Sequence, residues 1–419
     1  MTLDFDKLQS NLSGPATIEP RKIFSTLTRT TKFKRPTDEQ GEVLDGWFQN
    51  RSKRDITVKM NTGSGKTLVG LLILQSCLNE DRGPAVYIAP DSYLAKQVML
   101  EAKDLGIPVT TNERSAEFIS GKAVLVANVH KLFNGRSTFG VTNQGVKIPI
   151  GSIVIDDAHA CLASVGEQFS LRITGEHELY EELLELFSEH LKQQSLGQYL
   201  DLAAGDPLAI MAVPYWAWKD HHHQVMQLIH VHRTDEEIEW NWPLVSDVLK
   251  LSDCVFSAQQ LEIAPRCLPI NAIPAFTQAS RRIYMTATLA DDGILVTHLQ
   301  ADPQSILSPI KPKGAGDIGD RMILAPQEIT PSITVEEIRA LSADIAKKRN
   351  VVVIVPSKKR AAFWASVATQ TLDKDTISEG VEKLKKGHVG LTVLVNKYDG
   401  VDLPKEACEL LGRVLNLAK

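Results

Sequence analysis

Short apolar runs alternate with longer amphipathic stretches between residues 55 and 156, and this alternation constrains the fold more than any other feature. The runs are ITVKM (56–60), AVYIA (85–89), AVLVA (123–127) and SIVID (152–156). Helical length and spacing characterise the stretches between them, for example KTLVGLLILQSCL and SYLAKQVMLEAKDLG. Strands that alternate with helices predict a parallel α/β sheet with helices on both faces, which binds ligands at the carboxyl ends of its strands.

The alternation stops after residue 165. The segment EHELYEELLELFSEHLKQ places five apolar residues on one helical face, and the stretch to about 270 is also predicted to be helical. Strand patterns return at RIYMTAT (282–288), NVVVIVPS (350–357) and GLTVLVNKYDG (390–400), and KKRAAFWASVATQTL is predicted to be a helix between the last two. The Pro- and Gly-rich LSPIKPKGAGDIGD (307–320) is predicted to be a linker or exposed loop.

These boundaries predict two α/β domains in tandem. An N-terminal extension (1–30) precedes a first domain (31–300), which contains a mainly helical insert (about 165–270). A second domain (301–419) follows. The length of 419 residues suits this number of domains.

Composition excludes several protein classes. The chain is 43% hydrophobic and 23% charged, which is typical of a globular protein and not of a disordered or fibrous one. The N-terminus lacks the layout of a signal peptide, and LLIL (71–74) is too short to span a bilayer, so we expect a cytoplasmic protein with no membrane partner. The net charge of −5 argues against general adhesion to nucleic acid but permits a local basic groove.

The cysteines are scattered and odd in number, with no CxxC pair. This spacing predicts reduced core thiols and no zinc or iron–sulfur site. They are Cys77, Cys161, Cys254, Cys267 and Cys408.

The glycine-rich segment MNTGSGKT (60–67) follows a predicted strand and precedes a predicted helix, which is the context of a phosphate-binding loop. Gly63 and Gly65 allow backbone N–H groups to converge on phosphate oxygens, and the helix N-terminus adds a favourable dipole. Lys66 is predicted to lie near the β- and γ-phosphates, and the Thr67 hydroxyl to bind Mg²⁺. Position 60 departs from the general pattern, because it is Met where that pattern has Gly.

Two adjacent carboxylates end the predicted strand at 152–156, and burying them without partners is unfavourable. A Mg²⁺-holding carboxylate is expected at this place in a nucleotide-binding sheet. We therefore predict that Asp156 holds Mg²⁺ through water and that Asp157 polarises the water that attacks the γ-phosphate. Lys66, Asp156 and Asp157 are the predicted catalytic residues, with ATP and Mg²⁺ as cofactors.

Three segments together resemble motifs I, II and III of superfamily 2 helicases of the DEAD/DEAH type. They are NTGSGKT (61–67), IDDAHA (155–160) and MTATL (285–289). Other family motifs resemble FKRPTDEQ (33–40), IAPDSYLAKQV (88–98), VLVANVHKLF (124–133), VVVIVPSKKRA (351–361) and VLVNKYDGVDLP (393–404). The resemblance covers about 33–404 except for 170–270, and it implies two RecA-like parallel-sheet domains in tandem.

The resemblance also implies roles for single residues. Gln40 would read adenine, and His159, Thr286 and Thr288 would couple the nucleotide to the second domain. The remaining nucleotide contacts would be Thr62, Gly63, Ser64, Gly65, Asp399, Gly400 and Asp402. Nucleic acid would lie against Pro90, Ser92, Asn128, Lys131 and Ser357.

Each of these assignments has a structural alternative. The pattern Thr37-x-x-Gln40 is equally a capping box. The residues assigned to nucleic acid are otherwise helix caps and surface groups, the two threonines otherwise satisfy nearby backbone groups, and DGVDLP (399–404) is otherwise a simple turn. Histidines and tryptophans of the insert are predicted to pack or to be solvated, although the tryptophans could stack on bases. They are His221, His222, His223, His230, His232, Trp216, Trp218, Trp240 and Trp242.

The sequence departs from the family at two points. Asp157 stands where the family has Glu, so its carboxylate lies ~1.5 Å further from the attacking water. No Q-x-x-G-R-x-x-R motif follows motif V, so the chain resembles a family member truncated there, and this suggests a truncated product, a split gene or an enzyme that a partner protein completes.

The leading hypothesis is an ATP-dependent helicase or translocase acting on DNA or RNA, with single-stranded DNA slightly favoured because of the insert's position. The alternative is a nucleotide-dependent module that binds nucleic acid or a partner with little ATPase activity.

Overall fold

The structure is a computed structural model that describes residues 16–30, 35–61, 63–287, 291–314, 324–396, 401, 403 and 405–413. The chain divides into two compact units, Met1–Ala315 and Gly316–Lys419. The first unit contains a six-stranded parallel sheet and a four-stranded antiparallel sheet, and the second unit contains a four-stranded parallel sheet.

The strands are β1 (Asp55–Lys59), β2 (Ala85–Ala89), β3 (Val109–Thr110), β4 (Val124–Asn128), β5 (Ser152–Ile155), β6 (Leu171–Thr174), β7 (Ile210–Ala212), β8 (Ser252–Ser257), β9 (Gln260–Pro265), β10 (Arg281–Thr286), β11 (Val351–Val355), β12 (Gln370–Leu372), β13 (Leu391–Val395) and β14 (Leu410–Arg413).

The first-unit helices are α1 (Pro20–Thr26), α2 (Asp38–Asn50), α3 (Lys66–Asn79), α4 (Ser92–Leu105), α5 (Ala116–Ile119), α6 (Val129–Leu132), α7 (Ala158–Gln168), α8 (Glu178–Gln194), α9 (Leu196–Ala203), α10 (Tyr215–Asp220), α11 (His222–Val231), α12 (Trp242–Val245), α13 (Pro274–Thr277), α14 (Gly293–Leu299) and α15 (Pro303–Leu307). Those of the second unit are α16 (Pro326–Ile329), α17 (Val335–Ala346), α18 (Lys358–Ala362) and α19 (Ile377–Lys386).

The six-stranded sheet has the order β1-β10-β5-β2-β4-β3, and every pair of neighbours is parallel. Its carboxyl ends therefore lie along one edge, as the alternation predicted. The five strands predicted from apolar runs in this sheet are confirmed to within two residues. The weaker β3 was not predicted, because only two residues form it.

Two buried apolar clusters cover the faces of this sheet. Helix α3 is buried on nearly all sides, with ten buried residues from Leu68 to Leu78, because its sequence is apolar around the whole circumference. Helix α4 begins with the Asp91 carboxylate accepting from the Leu94 N–H at 2.9 Å. These two helices begin directly after β1 and β2, so their N-termini lie at the carboxyl edge.

The first unit extends beyond the predicted limits of 31–300. Helix α1 buries Ile23 and Phe24 in the same cluster as α3. At the other end, the backbone of Ile310 pairs with β1, since its N–H donates to Thr57 O and its carbonyl accepts from the Lys59 N–H, both at 2.8 Å. Residues 307–310 of the predicted linker thus include a backbone partner of the sheet.

The insert is not only helical. Helix α8 is confirmed, and its predicted apolar face is buried except for Leu186, which is partly buried. The helical prediction was wrong for 252–265, where β8 and β9 form a hairpin in an antiparallel sheet of order β6-β9-β8-β7. Alternate residues of this hairpin face the core of the insert, namely Cys254, Phe256, Leu261 and Ile263.

The insert tryptophans divide into two kinds. The predicted packing role is confirmed for Trp218, which is buried and donates its Nε1–H to Leu249 O at 2.8 Å, and Trp242 is partly buried. Trp216 and Trp240 are exposed at 56% and 45%, although the Arg136 guanidinium lies over the Trp240 ring at 4.8 Å from its centre.

The second unit has the order β12-β13-β11-β14, with all neighbours parallel, as predicted for a second α/β domain. The helix predicted over 358–372 is much shorter. Helix α18 ends at Ala362, and Gln370–Leu372 forms β12 because it pairs with β13 through Gln370 and Thr392.

The five cysteines are free. Three are buried as predicted, but Cys267 is exposed and Cys408 is half-buried, so the expectation of core thiols was wrong for these two. Among the described residues, no helix has both the length and the apolarity needed to cross a membrane.

Candidate nucleotide-binding site

The glycine-rich loop lies between the end of β1 and the start of α3. Gly63 and Gly65 have φ of +80° and +78°, a left-handed conformation that glycine adopts without strain. Between them, Ser64 turns the loop back, since its hydroxyl donates to Asn61 O at 2.6 Å. Lys66 and Thr67 form the first turn of α3, where the helix has unpaired N–H groups and a positive dipole end. The predicted strand–loop–helix context of an anion site is therefore present.

Gln40 contacts this loop directly. Its Oε1 accepts from the Thr37 N–H at 2.9 Å and its backbone N–H donates to Thr37 Oγ1 at 3.3 Å, so the capping box is confirmed. Its Nε2 donates to Ser64 O at 2.9 Å. A Cβ at Gly65 would lie 2.3 Å from this nitrogen, which gives Gly65 a second reason to be glycine. The amide thus links α2 to the loop, and adenine reading by Gln40 stays a prediction.

Asp156 follows β5 at the same edge of the sheet. The Tyr87 hydroxyl donates to its Oδ2 at 2.8 Å, and the Asp157 N–H donates to its Oδ1 at 3.0 Å. Desolvation raises the pKa of Asp156, while the charge of Lys66 and the Tyr87 hydrogen bond oppose that rise. The pKa of Tyr87 is raised well above its usual value by burial and by Asp156, and Thr67 lies beside the same hydroxyl. Loop, lysine, threonine and acid therefore meet at one place.

Asp157 has an unusual backbone. Its φ of +43° and ψ of 65° are left-handed, and it is the N-cap residue of α7 without capping through its side chain. Aspartate tolerates this region better than most residues, and non-glycine residues in it are concentrated at functional sites. Its predicted role in activating water stays a prediction.

Asp292, which was not predicted, connects two of the residues assigned to coupling. His159 Nε2 lies 2.9 Å from its Oδ1, and the Thr286 hydroxyl donates to its Oδ2 at 3.3 Å. Lys59 Nζ lies 3.0 Å from the same Oδ2. The only sequence signal was a carboxylate placed soon after the MTATL segment. His159 and Thr286 are therefore brought together through a third side chain.

Three of the residues assigned to nucleic acid also lie close together. Asn128 caps α6 and donates its Nδ2–H to Ser92 Oγ at 2.9 Å. Lys131 follows in α6, and its Nζ forms an ion pair with Glu113 at 2.6 Å. The cap interpretation of Asn128 is thus confirmed, and a phosphate would have to compete with Glu113 for Lys131. Pro90 is buried at the end of β2.

The other predicted site residues belong elsewhere. Ser357 lies in the second unit, where its hydroxyl caps α18 by accepting from the Arg360 N–H at 3.2 Å. Five predicted residues lie outside the described part of the chain, namely Thr62, Thr288, Asp399, Gly400 and Asp402.

A separate cluster in the insert has metal-ligating residue types, namely His177, His232 and Asp235. His177 Nδ1 accepts from the Leu179 N–H at 3.1 Å, so in a neutral ring the proton is on Nε2, the nitrogen that faces Asp235 at 3.4 Å. A metal would need that nitrogen without its proton. Hydrogen bonds therefore explain this cluster, in agreement with the predicted partly packed character of the insert histidines.

Residues 37–178 match the protein-family model described as DEAD/DEAH box helicase. No curated protein matches the sequence. Among solved structures, S. tokodaii Xpd4 is similar at 14% identity and a TM-score of 0.51, over 85% of this chain and 80% of that one. At this identity, the likeness shows the fold.

Two further solved structures are similar at lower TM-scores. The Mycobacterium smegmatis helicase Lhr bound to ssDNA and AMP-PNP has 14% identity and a TM-score of 0.46, over 96% of this chain and 44% of that one. S. cerevisiae Dbp5 bound to RNA and ADP BeF3 has 15% identity and a TM-score of 0.37, over 94% and 75%. The chain is an α/β protein of RecA-like fold, and its residues 37–178 are similar to the DEAD/DEAH box helicase family.

Proposed function

We propose that this protein is an ATP-dependent helicase or translocase acting on DNA or RNA. The observation that carries this proposal is the meeting of the glycine loop, the start of α3 and Asp156 at one sheet edge. The matched family supports the same function at a general level.

The residues at this edge suit Mg²⁺ and a triphosphate. Helix α3 begins directly after two left-handed glycines, so its N–H groups and dipole favour an anion. The Thr67 hydroxyl and the Asp156 carboxylate are the oxygen ligands that Mg²⁺ prefers. The raised pKa of Asp156 indicates that its charge lacks full compensation, which a cation would supply.

We assign the protein groups as follows. Lys66 and the loop N–H groups would hold the phosphates, and Thr67 and Asp156 would hold Mg²⁺, which neutralises phosphate charge when bound. Asp157 would orient water for attack. Asp399, Gly400 and Asp402 stay proposed nucleotide contacts from the family resemblance, and they lie outside the described residues.

Nucleic acid would bind through its phosphates, since a translocase must tolerate every sequence. The group formed by Ser92, Asn128 and Lys131 is the proposed contact in the first unit, and Ser357 the contact in the second. Single-stranded DNA is slightly favoured over RNA, on the position of the insert alone.

Asp157 favours a second candidate function. Its side chain is one methylene shorter than the family's glutamate, and hydrolysis depends on positioning at that scale. The alternative is therefore a nucleotide-dependent module that grips nucleic acid or a partner with little turnover.

The test measures ATPase activity stimulated by single-stranded DNA or RNA in wild-type protein and in Lys66→Ala. The matched control is Lys53→Ala, which changes an exposed lysine before β1. We expect stimulated turnover that Lys66→Ala abolishes and Lys53→Ala retains. Tight ATP binding without turnover would support the module, and ATP binding equal in Lys66→Ala and wild type would refute both.

A further inference from the structure

Asp292 has its carboxylate entirely buried, at 0% side-chain exposure. It precedes α14 and contacts three other segments of the first unit. A buried carboxylate requires charge and hydrogen-bond partners, and the three partners found in the described part of the chain come from segments that border the candidate site.

The partners occupy the two oxygens unequally. Oδ1 faces His159 Nε2 at 2.9 Å, and because a carboxylate only accepts, the histidine donates there. Oδ2 receives both the Lys59 ammonium at 3.0 Å and the Thr286 hydroxyl at 3.3 Å. A displacement of Lys59 would therefore change the hydrogen bond of Thr286 through their shared acceptor.

These three partners lie beside the glycine loop, after the acidic pair and at the end of β10. Lys59 is the last residue of β1, immediately before the glycine loop. His159 lies in the first turn of α7, directly after the acidic pair, and Thr286 ends β10. The Met60 N–H also donates to Thr286 O at 3.1 Å, so loop and β10 are joined by backbone as well.

We propose that Asp292 is a positioning residue that transmits the state of the glycine loop to the ends of β5 and β10. This inference rests on the proposed function, and it adds a residue that the motif resemblance does not include. Among the described residues, the side-chain partners of Asp292 are Lys59, His159 and Thr286, none of which is an assigned nucleotide contact. It holds His159 and Thr286 in an arrangement that depends on where Lys59 lies, so nucleotide binding and strand binding affect each other.

A second buried carboxylate provides a matched control. Asp55 lies at the opposite end of β1 and is also bound across to β10, by Arg282 at 2.6 and 2.7 Å. Replacing either acid by asparagine removes one buried charge between the same two strands. Only the Asp292 replacement lies beside the glycine loop.

The experiment measures the dissociation constant of a fluorescent ATP analogue with Mg²⁺, with and without a single-stranded oligonucleotide. In wild type we expect the oligonucleotide to change this constant at least about 5-fold. In Asp292→Asn the ratio of the dissociation constants with and without oligonucleotide should fall to within about 2-fold of one. The constant without oligonucleotide should change less than about 3-fold. Asp55→Asn should lower the melting temperature and keep the wild-type ratio.

Thr286→Val is a second variant, in case Asp292→Asn does not fold, because it removes one hydrogen bond and leaves the ion pair. It should reduce the ratio partly. The inference would be overturned if folded Asp292→Asn, or Thr286→Val where Asp292→Asn is unfolded, kept the wild-type ratio. It would also be overturned if wild-type protein bound the analogue in a Lys66-dependent way but the oligonucleotide did not change the dissociation constant. Failure of wild type to bind the analogue would instead refute the proposed function itself.

Discussion

Two acidic residues at opposite ends of the strands of the six-stranded sheet, Asp55 and Asp156, differ in how fully their charge is compensated. At the amino edge, Asp55 accepts from the Arg282 guanidinium at 2.6 and 2.7 Å and from the Asp302 N–H at 3.2 Å. At the carboxyl edge, Asp156 has hydrogen bonds from Tyr87 and Asp157 N–H, but desolvation still raises its pKa. Asp55 has a charge partner that stabilises the fold, whereas Asp156 keeps charge that a ligand could compensate.

The largest expected effect is at the amino edge. Arg282→Met should lower the free energy of unfolding by about 3–5 kcal/mol, because it leaves Asp55 buried without its cation. Chemical denaturation checks this value. The double variant Asp55→Leu/Arg282→Met should recover much of the loss, since both charges are then absent. A single variant as stable as wild type would contradict the contrast between the edges.

At the carboxyl edge, Asp156→Asn should lower ATP turnover by about 10²–10³-fold, because the proposed Mg²⁺ ligand loses its charge. Steady-state ATPase activity at saturating strand and Mg²⁺ measures this loss. Near-normal turnover would show that the acid at the end of β5 does not serve the reaction.

The same variant should raise the stability of the ligand-free protein. The folded pKa of Asp156 is raised by burial, so the wild-type free energy of unfolding falls as pH rises from about 4 through the folded pKa. Asp156→Asn cannot ionise, and its amide oxygen can accept from the Tyr87 hydroxyl in exchange for the weaker bond from the Asp157 N–H. Its melting temperature should therefore exceed that of wild type by a few degrees at pH 7 and by less at pH 4. The reverse order would exclude an uncompensated charge.

A smaller effect is expected from the loop glycine. Gly65→Ala combines a left-handed φ of +78° with a Cβ placed 2.3 Å from Gln40 Nε2, whereas Gly205→Ala has a similar φ of +81° and no atom within 4 Å. Both should destabilise the fold by about 1 kcal/mol through backbone strain. Only Gly65→Ala should also weaken binding of the ATP analogue. Equal binding by the two variants would show that the Gln40 contact is unimportant.

The smallest effect is expected from Tyr87→Phe, which removes one hydrogen bond to Asp156. The free energy of unfolding should fall by about 1–2 kcal/mol, because the half-buried carboxylate loses a donor. The half-saturating Mg²⁺ concentration should rise, since the carboxylate is held less firmly. A variant that needs less Mg²⁺ would indicate that Tyr87 competes with the metal.

The sequence predicted the parts of the fold that depend on neighbouring residues. Apolar runs such as 85–89 are buried on both faces of a parallel sheet, so composition alone identifies them. The loop at 60–67 was found because a phosphate site needs glycine, lysine and threonine in consecutive positions. The capping box of Thr37 and Gln40 is local in the same sense.

Parts that depend on distant residues were missed. The strands β8 and β9 have only alternate apolar residues. Their sheet also contains β6, which lies about 90 residues earlier in the chain than β9. Asp292 and His159 are separated by 133 residues, so no local pattern could connect them. The hydrogen bond from the Gln40 side-chain amide to the glycine loop could not be predicted either, because it depends on how α2 packs against the loop.

The position of β10 between β1 and β5 has a consequence for folding. Asp55 and Arg282 are 227 residues apart in sequence, yet their strands are direct neighbours. The centre of the sheet stays open during synthesis until the whole insert has been made, which exposes two unpaired strand edges. A ribosome-bound chain that ends before β10 should therefore need a chaperone.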